Sequence, residues 1–520
     1  MEERQNNATK TISMVMVVTL IGKVLGLYRD RLLAVHYSVG MEANAFFTAS
    51  RIPRVFFDAV FASAIAACFI PVFSEYLEKE GKKEAFRFAG NFITVMALLT
   101  AALTLLGMAF PQALVAVFAD YADPQTTALA SSLTRVMFPT VLFSGIAFSL
   151  VGVLQAQDHF TAPALMSTVS NLVIILYFLL LDAKLGIYGL ALAYLLGWLL
   201  QGVIQVPPLG RLCYRFRPDP NFRSEGMKKV FALMGPVMVS TWVQPINLAI
   251  NSRFGSRLYE GAGVSALEYS NNLYTVIAGT FILSITNVIF PRLSRLTAGG
   301  QQNAFRDTIR QTIHSSLFFV LPMSAGLMAV ARPLISFIYG GQEFGDFATG
   351  ITSTALVWLS LGMTGYALQN ILSRAYFAQQ NGRVPLVAGA VSIVVNIVLC
   401  AALTGPFGVA GLAFSSAVSS TVYALLLLLP MERKGLGVLD RDMVLDLVKM
   451  TAAAAATGVC AWLALKGLSP LLPGGKLGEL VSLGLCALAG VAVYFLLALV
   501  FGLQEAKLSV NLLKQLRKRG

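Results

Sequence analysis

The stretch ELVSLGLCALAGVAVYFLLALVF, residues 479–501, carries one charge, Glu479, at its edge and none inside. At 1.5 Å of rise per residue, a helix of this length crosses the roughly 30 Å hydrocarbon core of a bilayer. Comparable tracts recur at 88–109, 136–154, 164–181 and 186–206. None alternates apolar and polar at every second position over about ten residues, as membrane-barrel strands do, so the spans are helices. The whole chain agrees. Of 520 residues, 56% are hydrophobic and 12% charged, mean hydropathy is +0.71, and soluble domains run nearer ~25% charged.

Working outward, hydropathy predicts an all-α polytopic membrane protein of about fourteen transmembrane helices. They run over 11–35, 44–74, 85–109, 128–155, 162–181, 186–207, 227–252, 264–290, 308–330, 350–377, 384–404, 408–430, 443–465 and 478–502. The first two are interrupted by charges. Arg4 and Lys10 precede a span with no small-residue cleavage pattern, so the first span is expected to stay in the chain.

Basic residues set the orientation. Lys79, Lys82, Lys83 and Arg87 follow the second span, and Arg211, Arg215, Arg217 and Arg223 follow the sixth. Arg292, Arg295 and Arg306 follow the eighth, and Lys507, Lys514, Arg517, Lys518 and Arg519 lie in the tail. With both termini in the cytoplasm, all of these fall on the cytoplasmic side. The formal charge of +13 then marks the face beside anionic lipid, and no nucleic-acid partner is needed to explain it.

The chain resembles itself at an offset of about 220 residues. Phe69-Ile-Pro-Val-Phe-Ser74 aligns with Ile289-Phe-Pro-Arg-Leu-Ser294, and Ala85-Phe-Arg87 with Ala304-Phe-Arg306. Ala156-Gln157 and Pro163 align with Ala378-Gln379 and Pro385, and Gly186-Ile-Tyr-Gly-Leu-Ala191 with Gly408-Val-Ala-Gly-Leu-Ala413. Six spans per copy make the repeats parallel, two lobes around a central cavity. The expected division is an N-terminal lobe at 1–207, a basic linker at 208–226, a C-terminal lobe at 227–430, and a second linker at 431–442. Two additional helices at 443–502, as a lipid-facing groove or a lateral brace, and a basic tail at 503–520 complete it.

Charges inside the first two spans are the functional signal, because an ionised group at the centre of a bilayer costs several kcal/mol and normally faces a polar cavity or a partner. Lys23, Arg29 and Asp30 lie on the first span, and Arg51, Arg54 and Asp58 on the second. Helical spacing puts Lys23 and Asp30 on one side with Arg29 pointing elsewhere. Asn44, Arg51, Arg54 and Asp58 form one stripe, with Arg54 and Asp58 spaced for an ion pair. Gly22 and Gly26 are spaced for close helix approach. A second polar stripe, Ser240, Gln244, Asn247 and Asn251, lies on the seventh span, and Asn272 begins the eighth. The basic surplus suits an anion, and arginine forks match phosphate oxygens.

Other chemistry is not signalled. Five scattered cysteines and three histidines have no ligand spacing, so neither metal site nor disulfide framework is inferred. There is no GxxxxGK[ST] phosphate loop, no catalytic constellation, and no cofactor is expected.

The segments Gly22-Lys-Val-Leu-Gly-Leu-Tyr-Arg-Asp30, Asn44-Ala-Phe-Phe47, Arg51-Ile-Pro53 and Phe69-Ile-Pro-Val-Phe-Ser-Glu-Tyr76 resemble the MurJ (MviN-type) lipid II flippase family. So do Met234-Gly-Pro236, Pro291 and Tyr376-Phe-Ala-Gln-Gln-Asn-Gly-Arg-Val-Pro385. That family lies within the multidrug/oligosaccharidyl-lipid/polysaccharide exporter superfamily. The resemblance implies an inner-membrane protein that turns undecaprenyl-pyrophosphate-linked peptidoglycan precursor from the cytoplasmic to the outer leaflet by alternating access. Membrane lipid and cell-wall synthesis proteins are the further partners it implies. The alternatives are a flippase for another polyprenyl-linked oligosaccharide and a non-transporting scaffold for wall synthesis. The family's basic cavity positions map onto Lys23, Arg29 and Arg51, and its acid near the start of the second span onto Asn44. Two family arginines fall at Phe57 and Asn272, which puts the detailed pyrophosphate clamp in question. Arg54 is placed to compensate for the first, and Arg253 and Arg257 are candidates for the second.

Overall fold

The computed structural model describes residues 2–57, 68–433, 437–468 and 475–507, with the side chains of 2–13, 57, 235–241, 244 and 287 outside the description. Among the described residues every regular element is helical. The chain divides into two compact units, Met1–Ser265 and Ala266–Gly520.

Unit 1 holds α1 (Glu2–Tyr37), α2 (Met41–Phe57), α3 (Ile70–Lys79), α4 (Lys82–Ala109), α5 (Pro111–Phe118) and α6 (Pro124–Met137). It continues through α7 (Thr140–Gln155), α8 (Thr161–Leu180), α9 (Asp182–Val203), α10 (Val206–Arg211), α11 (Glu225–Thr241) and α12 (Val243–Gly255). Local chemistry sets the ends. Asp123 accepts hydrogen bonds from the backbone N–H groups of Gln125 and Thr126, both at 3.0 Å, with Pro124 in the first turn of α6. This is the N-cap arrangement that satisfies donors the helix cannot. Ser224 does the same for α11 through Met227 N at 3.3 Å.

α1 packs along α8 where Gly22 and Gly26 remove side chains. A Cβ on Gly26 would lie 3.3 Å from Asn171 Nδ2, and one on Gly22 3.2 Å from Thr168 Oγ1. The sequence spacing anticipated this approach. The linker before α11 is strapped to α4: Asn91 Nδ2 donates to the Asp219 and Asn221 carbonyls at 2.8 and 3.0 Å, and Ser224 Oγ donates to Asn91 Oδ1 at 2.7 Å.

Unit 2 begins within α13 (Ala262–Tyr274), which passes through a π-helical stretch, Thr275–Gly279, into α14 (Thr280–Ala298). α15 (Gln302–Tyr339), α16 (Asp346–Leu361), α17 (Met363–Ala378), α18 (Arg383–Arg433), α19 (Arg441–Leu468) and α20 (Lys476–Val500) follow. Two buried hydroxyls are satisfied by carbonyls of a neighbouring helix, as a low-dielectric setting favours. Ser270 Oγ donates to the Thr352 carbonyl at 2.7 Å, and Ser324 Oγ to that of Ser360 at 2.6 Å.

Among the described residues nine helices are long and apolar enough to cross a membrane, or ten when the bent pair α16–α17 counts as one span. Hydropathy alone expected fourteen. Part of the difference is physical: α18 counts once although Gly408 breaks it into two arms. α1 and α2 carry the charged residues discussed above.

Backbone breaks recur at a fixed spacing. Gly186 (φ 53, ψ −151) and Gly408 (φ 55, ψ −133) are 222 residues apart, and each bends a helix that would otherwise run on. The positive-φ residues Asp158 and Gln380 share that spacing, as do Ser38 and Glu260. Even the turn hydrogen bonds match: His159 N reaches the Leu154 carbonyl at 2.9 Å, and Asn381 N the Tyr376 carbonyl at 3.0 Å. Gly186→Ala or Gly408→Ala would force a side chain into a region only glycine occupies comfortably. Each should cost roughly 1–3 kcal/mol, read as a lowered unfolding temperature in detergent, whereas Gly210→Ala, in open space at ordinary φ, should not.

The last two helices both brace and groove unit 2. Phe318, Met450, Tyr494 and Leu503 share a buried cluster joining α15, α19, α20 and the residues after it. His314 on α15 sits between two carboxylates, with Nε2 3.2 Å from Asp446 and Nδ1 against Glu505. Lys449 lies 2.9 Å from the other Asp446 oxygen. Beside the brace lies an apolar groove of about 300 Å³, bordered by Phe319, Met323 and Leu327 of α15 and by Ala461, Leu483 and Val491.

Candidate functional site

The charged residues of α1 and α2 converge within unit 1. Arg29 donates from Nε and Nη2 to Asp30 Oδ1 at 2.9 and 2.6 Å, and from Nη1 to Asn171 Oδ1 at 3.0 Å. Asn171 is itself anchored, since its Nδ2 donates to the Gly22 carbonyl at 2.9 Å. The clamp is well enclosed, with the Asp30 side chain 6% and that of Arg29 29% exposed. Adjacent residues on a helix point to different sides. Arg29 does turn away toward α8, as expected, yet its long side chain still reaches back to Asp30. Helix geometry alone missed that contact.

Arg54, exposed on α2, lies within electrostatic reach of both Lys23 and Arg29. Lys23 has no hydrogen-bond or ion-pair partner among the described residues, whereas Arg54 interacts with its surroundings. Arg51, one turn earlier on α2 and 8% exposed, donates from Nη1 to the Leu248 carbonyl of α12 at 3.4 Å. α12 also carries Asn247, whose buried Oδ1 is unpaired among the described residues, and Asn251, which is engaged. Among the described residues, Lys23, Arg29, Arg51 and Arg54 thus stand against Asp30 on these two helices. Such a surplus attracts anions, and three of its members are arginines, whose planar forks match phosphate oxygens.

The remaining sequence candidates divide as follows. Asp58 and the side chain of Gln244 lie outside the described residues. Asn272 belongs to unit 2, where it is half-buried and engaged. Arg253 and Arg257, candidates to replace the arginine absent at Asn272, are committed elsewhere. Arg257 grips Asp120 Oδ2 from Nε at 2.9 Å and Nη2 at 2.5 Å, and Arg253 donates to the Ala116 and Val117 carbonyls.

These arginines belong to a clasp that sequence reading missed. Asp120 N donates to Ser256 Oγ at 2.7 Å, Tyr121 Oη donates to the Asn44 carbonyl at 2.9 Å, and Asn44 Oδ1 accepts from Ser265 Oγ. The hydrogen bonds from Arg257 hold the Asp120 carboxyl below its ordinary value. A depressed carboxyl stabilises the fold above its unfolded pKa, and that contribution disappears as pH falls through the folded value. At neutral pH, Asp120→Asn should therefore speed proteolytic nicking of the 256–261 turn, and the wild type should approach the variant only in acid.

Asn171 was missed as well, although a polar residue within an apolar span is a functional flag. It became readable only when α8 was seen beside α1.

The model of the lipid II flippase MurJ family matches residues 34–474. The probable lipid II flippase MurJ of Vibrio cholerae is 29% identical over 504 residues, covering 94% of this chain and 95% of that protein. A solved lipid II flippase MurJ in an inward closed conformation superposes with TM-score 0.76 at 23% identity, covering 94% of this chain and 98% of that one. An inward-facing multidrug resistance MATE transporter of the MOP superfamily superposes with TM-score 0.68 at 14% identity, covering 81% of this chain and 98% of that chain. The fold is shared with both, and the chain, a multi-pass membrane protein, belongs to the lipid II flippase MurJ family.

Proposed function

We infer that this protein is a lipid II flippase: it moves undecaprenyl-pyrophosphate-linked peptidoglycan precursor from the cytoplasmic to the outer leaflet of the bacterial inner membrane, leaving the substrate chemically unchanged. Both termini face the cytoplasm in this reading, as the basic residues favour. The single observation that carries the mechanism is the cationic group Lys23, Arg29, Arg51 and Arg54 around one buried acid.

In the empty state Asp30 and Asn171 occupy the donors of Arg29. An arriving pyrophosphate adds oxygens for Arg54 and Lys23 and competes with Asp30 for Arg29, so Arg29 exchanges one anionic partner for another. Asn247 offers an unpaired carbonyl oxygen for headgroup N–H or O–H groups. The groove beside α19 and α20 suits the polyprenyl tail by its apolar lining. Segments 11–207 and 227–430 act as repeats that rock to alternate access, a reading supported by the backbone breaks spaced 222 residues apart. Enzymes that make and consume the precursor are the protein partners this function implies.

Reconstituted leaflet translocation tests the substrate. Lipid II should move faster than a monophosphate-linked analogue and faster than a polyprenyl pyrophosphate bearing a different sugar. Equal flux of lipid II and the sugar variant would favour a broader polyprenyl-linked saccharide exporter, and no flux at all would favour a scaffold.

A further inference from the structure

A second polar feature lies far along the chain from the cationic group. α14 and α15 run antiparallel from the turn at 299–301, so residues equally distant from that turn stand level. Between them is a crease of about 470 Å³. Its α15 wall is polar throughout: Thr308, Gln311, Thr312, Ser315 and Ser316. The α14 wall is mainly apolar, with Phe281, Ile285, Val288 and Ile289, and Arg292 stands at the mouth. At the end away from the 299–301 turn Phe281 packs edge-on against Phe319, with ring centroids 5.5 Å apart. At 1.5 Å per residue the crease is roughly 16 Å long.

Two observations mark it as a built site. Ser316 lines the crease, is 1% exposed, and its Oγ has no partner among the described residues. The basic residues flanking the 299–301 turn are unequal: Arg306 pairs with Asp307 and Arg310 with Asp440, whereas Arg292, which lines the crease, and Arg295 pair with no acid among the described residues. A ligand that suits the crease is anionic at the mouth, hydroxyl- or ester-bearing below it, and apolar on one side. Basic pockets between membrane helices on the cytoplasmic side favour such headgroups.

We propose that the α14–α15 crease binds an anionic glycerophospholipid of the basic-side leaflet, its phosphodiester on Arg292 and its glycerol-ester region along the hydroxyl wall toward Ser316. The lipid fits the crease by charge and by its two-sided polarity, and it is an integral ligand separate from the transported substrate.

The full chain in nanodiscs, labelled with photoactivatable phosphatidylglycerol or phosphatidylcholine of matched chains, tests this by mapping crosslinked peptides. Phosphatidylglycerol should label 281–292 and 308–316 in preference to phosphatidylcholine. Arg292→Gln should weaken that preference roughly fivefold, the worth of one basic residue near an anionic surface, and Arg292→Lys should largely restore it. Ser316→Leu, which fills the crease, should abolish labelling there. Equal labelling of wild type by the two lipids would overturn the proposal without any variant having to fold. Stronger labelling of the crease by a photoactivatable polyprenyl phosphate would overturn it too, because the crease would then belong to the substrate's path.

Discussion

Replacing Arg54 by Gln is expected to lower lipid II translocation by roughly ten- to a hundredfold, with the protein still accumulating in the membrane. The magnitude follows from losing one hydrogen bond to a charged group, about 1.5–3 kcal/mol. Arg54 is exposed, so its truncation should alter the unfolding temperature less than loss of an enclosed charge does. Arg51→Gln should reduce flux comparably but also loosen α12, because Arg51 holds the Leu248 carbonyl. Translocation assays paired with thermal unfolding separate the two. Wild-type flux in Arg54→Gln would remove this residue from the mechanism.

The largest stability effect should come from Asp30→Ala. The substitution deletes the acceptor of two Arg29 hydrogen bonds and leaves a largely enclosed guanidinium with Asn171 as its remaining hydrogen-bond partner among the described residues. Breaking a buried pair from one side typically costs about 3–5 kcal/mol. The partial exposure of Arg29 puts the expected loss near the lower end of that range. The double variant Arg29→Met/Asp30→Leu removes both charges and should recover most of the unfolding temperature while translocation stays impaired. If the single variant melted like the wild type, the clamp would carry no structural load, and the double variant would then report on transport alone.

The membrane-helical class was plain in the sequence, because uninterrupted apolar tracts of bilayer length have few other solutions. The cationic group was also legible. Lys23, Arg29, Asp30, Arg51 and Arg54 stand out against apolar surroundings, and helical periodicity placed Arg51 and Arg54 on one stripe. Contacts between distant segments were not legible. Nothing in the 120–121 dipeptide announces that it will meet Arg257 and Asn44, and nothing in Asn171 names Arg29 as its partner. Such pairings depend on how helices pack, which one-dimensional spacing does not encode. The assignment of Arg253 and Arg257 failed for the same reason: their charge was visible, but the carbonyls and carboxylate that hold them were 136 or more residues away in the chain.

Turns repeated at 222 residues carry different side chains, Asp158 against Gln380 and Ser38 against Glu260, on like main-chain geometry. At these positions the left-handed turn tolerates different residues. Transplanting Gln379-Gln-Asn381 onto positions 157–159 should consequently leave the first copy intact. Constraint at these positions is divided: the path of the backbone is alike at both, and the chemistry displayed there differs.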